Sequence, residues 1–337
     1  MADKYAPVRK YFKLTDTING IVNDSFRLCE VGFPKRKYKT REKLKPKVQE
    51  ILAEELKTAA YDLLGAKLTT DFLLVDETKR PALLVVSRRD SLEIVKYEGL
   101  GDNISETEKR ALEKKFEDKG YSAYIFTAAG VATKPIRSDE NTAPNKLLKI
   151  LGHETAHHYF FGKPLGKNYG ESAECHAINE TSAEIVGEEL GAYCSSKILR
   201  NSPTMQSVIT GGTKWMERLG ETTRHVEKLL SEGKLEQAET YMKKKHTNQA
   251  QLVLWKMYGS DKENGMTRTL NALKSECYDL KDFAETVSQT MNYKQVEDAL
   301  AQKRGDNEYY TFKALGGYGK DYSWKAPKMR TKTYARK

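Results

Sequence analysis

The sequence predicts an α+β protein in which a small mixed or antiparallel sheet precedes a mostly helical lobe. Three observations carry this. Short apolar or alternating runs crowd residues 72–129. A capping box interrupts them at Ser105-Glu-Thr-Glu108. From Asn141 onward the apolar spacing is almost wholly helical.

The elements follow in order. Residues 1–31 mix charged and apolar positions and are read as helical. Residues 35–47 hold eight basic residues against one acid, Glu42. Residues 48–64 place Ile51, Leu52, Leu56, Ala59 and Leu63 near helical spacing, and Gly65 follows as a C-cap. Strands are expected at Phe72–Val75, 82–87 and 92–97, split by the polar connections DETKRP and RRD. The capping box opens a charged helix that stops near Gly120, and residues 121–129 return to strand character. Three strands, a helix and a fourth strand complete this half. Pro144 suits the first turn of a helix running through NKLLKILGHETAHHYFF. The glycine-rich stretch 162–170 reads as a loop. Further helices are expected at 172–199, 205–245, 248–258 and 266–303. This divides the chain into residues 1–140, a helical lobe at 141–316, and a basic tail at 317–337.

Composition narrows the classes. Hydrophobic residues make up 39% of the 337, enough for an ordinary core, so global disorder is not expected. Four scattered cysteines with no C-x-x-C pair exclude a disulfide scaffold and fit a reducing, cytoplasmic setting. The N-terminus has no signal-like apolar segment. The longest apolar run, 82–86, is far short of the ~20 residues a membrane span needs. The net charge of +10 favours solubility and contact with anionic surfaces. Lys320 to Lys337 carry seven basic residues with Tyr322, Trp324 and Tyr334 between them. That pattern fits either a solvated tail or weak nucleic-acid contact.

The chemistry lies in His153-Glu154-Thr155-Ala156-His157. Positions i and i+4 share a helix face, so His153 and His157 can grip one ion. Glu154 sits beside them, able to act on water. Two histidines lack a third ligand, and Asn179-Glu180-Thr181-Ser182-Ala183-Glu184 on the next helix offers one. Glu180 would ligate, and Glu184, one turn on, would accept the free N–H of a ligating imidazole. His176, one turn before Glu180, is the rival third ligand; Glu180 is favoured because Glu184 then has a task. The pattern H-E-x-x-H-x-x-G-x-x-H fails because its third histidine would fall at Lys163. His158 reads as a packed neighbour. One zinc ion per chain is expected, supporting metal-assisted hydrolysis with Glu154 as general base. Tyr258 is the tyrosine favoured for steadying the oxyanion. Ala128-Ala129-Gly130 would let an extended substrate approach, or would simply end a strand. Gly187 and Gly191, one turn apart, would allow close helix packing.

HETAH followed by NETSAE resembles the gluzincin class of zinc metallopeptidases. In its thermolysin-like members the third ligand is the Glu of an N-E-x-x-S-D run, whose Asp supports it; here Glu184 replaces that Asp. The gap of 22 residues between His157 and Glu180 is slightly longer than usual. Over most of its length the chain is also similar to a poorly characterised bacterial family described as predicted aminopeptidases. The segments LLVVSRRDSLEI, GVATKP, LGHETAHHYFFGKPLG, INETSAEIVGEELG, HVEKLLSEGKLEQAETYM and NQA carry that likeness in order. Many of those relatives are membrane-anchored, and no anchor is seen here. The resemblance implies a zincin-like fold, a helical catalytic lobe, and an aminopeptidase acting on peptides or amides. The alternatives are a metal-site scaffold without catalysis and a nucleic-acid-associated protein using its basic segments.

Overall fold

The structure is a computed structural model. It describes residues 3–24, 35–69, 71–76, 80–199, 210–257 and 265–314. Helix α1 (Ala6–Asp24) packs on α2 (Lys35–Leu64), and Gly65 ends α2 at φ +64°, the left-handed position a glycine C-cap adopts. The expected start of α2 at residue 48 is corrected to Lys35. The helix passes through Pro46, and its basic run is partly committed inside the fold. Arg41 is buried and donates from Nη2 to Glu140 Oε1 and from Nη1 to Asn141 Oδ1, both at 2.8 Å. Lys45 pairs with the other Glu140 oxygen. A guanidinium can be buried where its two terminal nitrogens meet a carboxylate and an amide, as here. These contacts clamp α2 to the chain just ahead of the histidine helix.

The strands are β1 (Phe72–Val75), β2 (Ala82–Arg88), β3 (Ile94–Gly101), β4 (Tyr121–Thr127), β5 (Gly130–Val131) and β6 (Ile136–Asp139). The single four-stranded sheet expected from the sequence is replaced by two three-stranded sheets. One is mixed, ordered β1-β6-β5, with β1 parallel to β6; the other is antiparallel, ordered β3-β2-β4. The predicted strand 121–129 breaks after Thr127, and the chain leaves one sheet for the other.

Helix α3 (Glu106–Glu117) begins at the capping box, with Ser105 and Glu108 satisfying each other's backbone donors. Its Leu112 and Phe116 cover Leu84 and Val86 on one face of the antiparallel sheet. Then come α4 (Pro144–Phe160), the single turn α5 (Pro164–Lys167) and α6 (Ala173–Ile198). The predicted loop at 162–170 therefore contains a helical turn. The helical stretch expected at 205–245 holds two helices, α7 (Thr210–Ser231) and α8 (Leu235–Lys244), separated at Gly233 with φ +71°. Helix α9 (Gln249–Met257) lays Ala250 and Val253 against Val85, on the opposite sheet face from α3. The helical stretch expected at 266–303 holds three helices: α10 (Gly265–Glu276), α11 (Leu280–Val287) and α12 (Tyr293–Ala314). Asp279 caps α11 by accepting from the Asp282 N–H, which forces the break.

The largest core joins α1, α2, α4, α6 and α10–α12 with Phe72, Leu74 and Ile136 of the mixed sheet. Helices α4 and α6 lie at its centre. No described helix is long and apolar enough to cross a membrane. Residues 317–337, with the basic tail, lie outside the described residues.

Candidate metal centre

Helices α4 and α6 approach closely because glycines remove the side chains between them. A Cβ on Gly152 would strike the Gly187 carbonyl, and one on Gly187 would lie 2.5 Å from the His153 nitrogen. One on Gly191 would lie 3.0 Å from the Leu148 carbonyl. The packing role read for Gly187 and Gly191 is what the structure shows, and Gly152 completes it. Gly187→Ala is expected to destabilise the fold. The obstacle is backbone, so rotation cannot relieve it, and such overpacking costs about 1–3 kcal/mol. The helix propensity gained, at most ~1 kcal/mol, does not offset it. Thermal unfolding checks this; a melting temperature equal to or above wild type would contradict it.

This contact sets the expected residues together. His153 Nε2 and His157 Nε2 lie 3.0 Å apart. Glu180 Oε2 is 3.3 Å from His153 Nε2, and Glu180 Oε1 is 3.5 Å from His157 Nε2. One ligand atom from each of the three residues falls within 4.8 Å of the others, and this is the one such His/Cys/Asp/Glu group among the described residues. A tetrahedral ion with bonds of ~2.0–2.1 Å has ligand–ligand edges of roughly 3.4 Å, close to the separation each Glu180 oxygen makes with one imidazole. The donor set, two imidazoles and a carboxylate, is one zinc accepts. Glu180 Oε2 is buried without a hydrogen-bond partner, an orphan that a cation would satisfy.

Supporting residues fix the ring orientations. His157 Nδ1 lies 2.7 Å from Asn179 Oδ1, and Asn179 Nδ2 donates to the Leu165 carbonyl at 3.3 Å. The amide is thus held with its oxygen toward the ring. Nδ1–H donates to it, and the Nε2 lone pair of His157 turns to the centre. His153 Nδ1 lies 3.4 Å from Glu184 Oε2, an electrostatic contact rather than a formed hydrogen bond. Glu184 is also paired with Lys149. Burial would raise the Glu184 carboxyl, but His153 and Lys149 outweigh it and bring it to about 2.

The electrostatics are those of a site built for positive charge. Burial opposes charging His153, yet the carboxylates of Glu180, Glu184 and Glu154 raise it well above the usual imidazole value. Burial would raise Glu180, yet His157 and His153 hold it well below the usual carboxylate range.

Glu154 is buried, and burial raises its carboxyl above the usual value. It lodges beneath β5, where a Cβ on Gly130 would lie 2.7 Å from Glu154 Oε1 and would also strike Ile150. The space that Gly130 was read to leave for substrate is filled by these two side chains; its missing side chain makes room for Glu154.

The other expected residues are distributed as follows. His176 is buried behind Glu180, its Nε2 3.9 Å from Glu180 Oε1, with its ring edge-on to Tyr97. Burial lowers its pKa, and it is not one of the converging three. His158 turns away, 2.9 Å from the Thr133 carbonyl. Tyr258 lies outside the described residues. Tyr169 is the tyrosine found at the centre: its hydroxyl donates to Glu180 Oε1. The sequence offered for it only an aromatic residue between glycines, and for Asn179 only its place in the NETSAE run.

The chain matches no family model, no curated protein and no solved structure.

Proposed function

We propose that the chain is a zinc-dependent metallopeptidase of the gluzincin kind, an aminopeptidase with a zincin-like catalytic lobe. The observation that carries this is the convergence of His153 Nε2, His157 Nε2 and Glu180 Oε2, an oxygen with no formed hydrogen bond, with the Glu154 carboxyl one residue along the same helix. His153, His157 and Glu180 would hold the zinc. When bound, zinc acidifies water and polarises a carbonyl under attack.

The chain's own residues supply the rest. Glu154 takes a proton from water and returns it to the leaving amine, a task served by a carboxyl raised toward neutral pH by burial. Asn179 and Glu184 keep the two imidazoles aimed. Those groups all sit on the packed helices α4 and α6, which preserves the alignment catalysis needs. The order of the motifs along the chain and the separate roles of Glu180 and Glu184 support the gluzincin reading.

The test is zinc by elemental analysis of the purified chain, with a panel of free and N-blocked aminoacyl amides. About one zinc per chain is expected, with hydrolysis lost to a chelator and restored by zinc. Preference for free amino termini would mark an aminopeptidase. One zinc per chain with no amide cleaved would support a metal-site scaffold instead. Absence of zinc after incubation with the ion would overturn the reading.

A further inference from the structure

Tyr169 has no task in the proposed reaction, yet among the described residues its hydroxyl is the tyrosine group that bonds to the centre. It follows α5, which is anchored firmly. Leu165 is fully buried and its N–H donates to the Ser288 carbonyl at 3.0 Å. Asn168 Nδ2 donates to the Pro164 carbonyl at 2.7 Å. Gly166 seats α5 against the end of α4, where a Cβ would strike the Phe160 carbonyl. Tyr169 is thus delivered by a fixed turn.

The two oxygens of Glu180 have unlike surroundings. Oε1 accepts from the Tyr169 hydroxyl and lies 3.5 Å from His157 Nε2, whereas Oε2 has no formed hydrogen bond and lies 3.3 Å from His153 Nε2. Behind the phenol, His176 Nε2 lies 3.5 Å from the hydroxyl, and the two rings are 4.4 Å apart. His176 is itself wedged against Tyr97, with ring centroids 5.3 Å apart. The phenol therefore has a wall behind it and a carboxylate oxygen in front.

We propose that Tyr169 is a positioning residue that makes Glu180 a one-oxygen ligand: its hydroxyl occupies Oε1 and leaves Oε2 alone to meet the cation. This rests on the zinc reading above. A carboxylate using both oxygens would take two coordination positions. A catalytic zinc site needs three protein donors and an open position, and restricting Glu180 to one oxygen preserves it. The role also explains why His176, one turn before Glu180, lies near the centre without converging on it: it braces the phenol.

The experiment compares the full-length wild type, Tyr169→Phe, and Tyr278→Phe as a remote control. Tyr278 is 94% exposed. Zinc affinity is read by competition with a chromogenic chelator, and coordination by the visible absorption of the cobalt(II)-loaded protein. Phe keeps the ring, so the metal-free melting temperature is expected to stay near wild type. Tyr169→Phe should weaken zinc binding about 10- to 100-fold, as loss of a group supporting a ligand does. Its cobalt band should lose intensity as the freed oxygen joins the ion. Tyr278→Phe should match wild type in both. Wild-type affinity and an unchanged cobalt spectrum in Tyr169→Phe would overturn the inference while leaving the zinc reading intact. So would a loss of hydrolysis with both unchanged, which would assign the phenol to substrate. A wild type that binds no zinc would overturn both.

Discussion

Glu154→Gln is expected to keep about one zinc per chain and to lower hydrolysis about 100- to 10,000-fold, the range a positioned general base contributes. Gln has nearly the same shape, so it fits the slot beneath Gly130 that the carboxyl occupies. It cannot take a proton from water. The three converging groups are untouched, since Glu154 projects from α4 to the β5 side while Glu180 approaches from α6. Removing one buried carboxylate also removes one of the groups raising His153, but Glu180 and Glu184 remain and act more strongly. The ligand set therefore keeps its charge complement. The measurement pairs elemental analysis with initial rates on the best amide of the panel. Undiminished rates would remove Glu154 from the reaction. Loss of zinc with the rate would make it a ligand instead.

That prediction uses residues legible in the sequence, and the reason is geometric. Ligands at i and i+4 need only a helix, and Pro144 and the apolar spacing through Leu147, Leu148 and Leu151 mark one. The run from Asn179 to Glu184 needs only a second helix packed on the first, and Gly187 and Gly191 announced that packing. Local signals also placed the α3 capping box and the Gly65 cap. The arrangement of the strands was not legible. Phe72 pairs with Ile136 in parallel, a contact between distant segments that no local pattern encodes. Strand β6 is short and polar, IRSD, with only Ile136 and Ser138 turned inward, so its alternation does not stand out. The break after Thr127 falls among small residues that read equally well as continuing strand. The apolar spacing that marks α2 begins only near Ile51, but the contacts of Arg41 and Lys45 with Glu140 fix the earlier turns. Tyr169 and Asn179 were hidden for a related reason. Their roles depend on where α5 ends and on which ring faces the Asn179 amide, and both are properties of the folded chain.

Glu180→Ala is expected to reduce zinc from about one per chain to a trace after dialysis. Losing a ligand should cost more than the roughly 10- to 100-fold that losing a supporting residue costs. Two effects act together. The donor facing His153 Nε2 is removed, and so is the buried negative charge that draws a cation inward. Hydrolysis should fall with the metal, unlike in Glu154→Gln, and this contrast separates ligand from base. The metal-free fold faces opposing terms. The substitution empties a buried site, but it also ends the cost of holding a carboxylate there, which His157, His153 and the Tyr169 hydroxyl offset. Zinc content is therefore the decisive reading, and melting temperature is secondary. His176 provides the sharpest challenge, because its Nε2 is 3.9 Å from Glu180 Oε1 and a small shift of its ring could bring it forward. If Glu180→Ala retains zinc and the Glu180→Ala, His176→Ala pair does not, His176 is the third ligand. If both retain it, the ion is held elsewhere, and the convergence of His153, His157 and Glu180 is a buried charge pair stabilised by a proton.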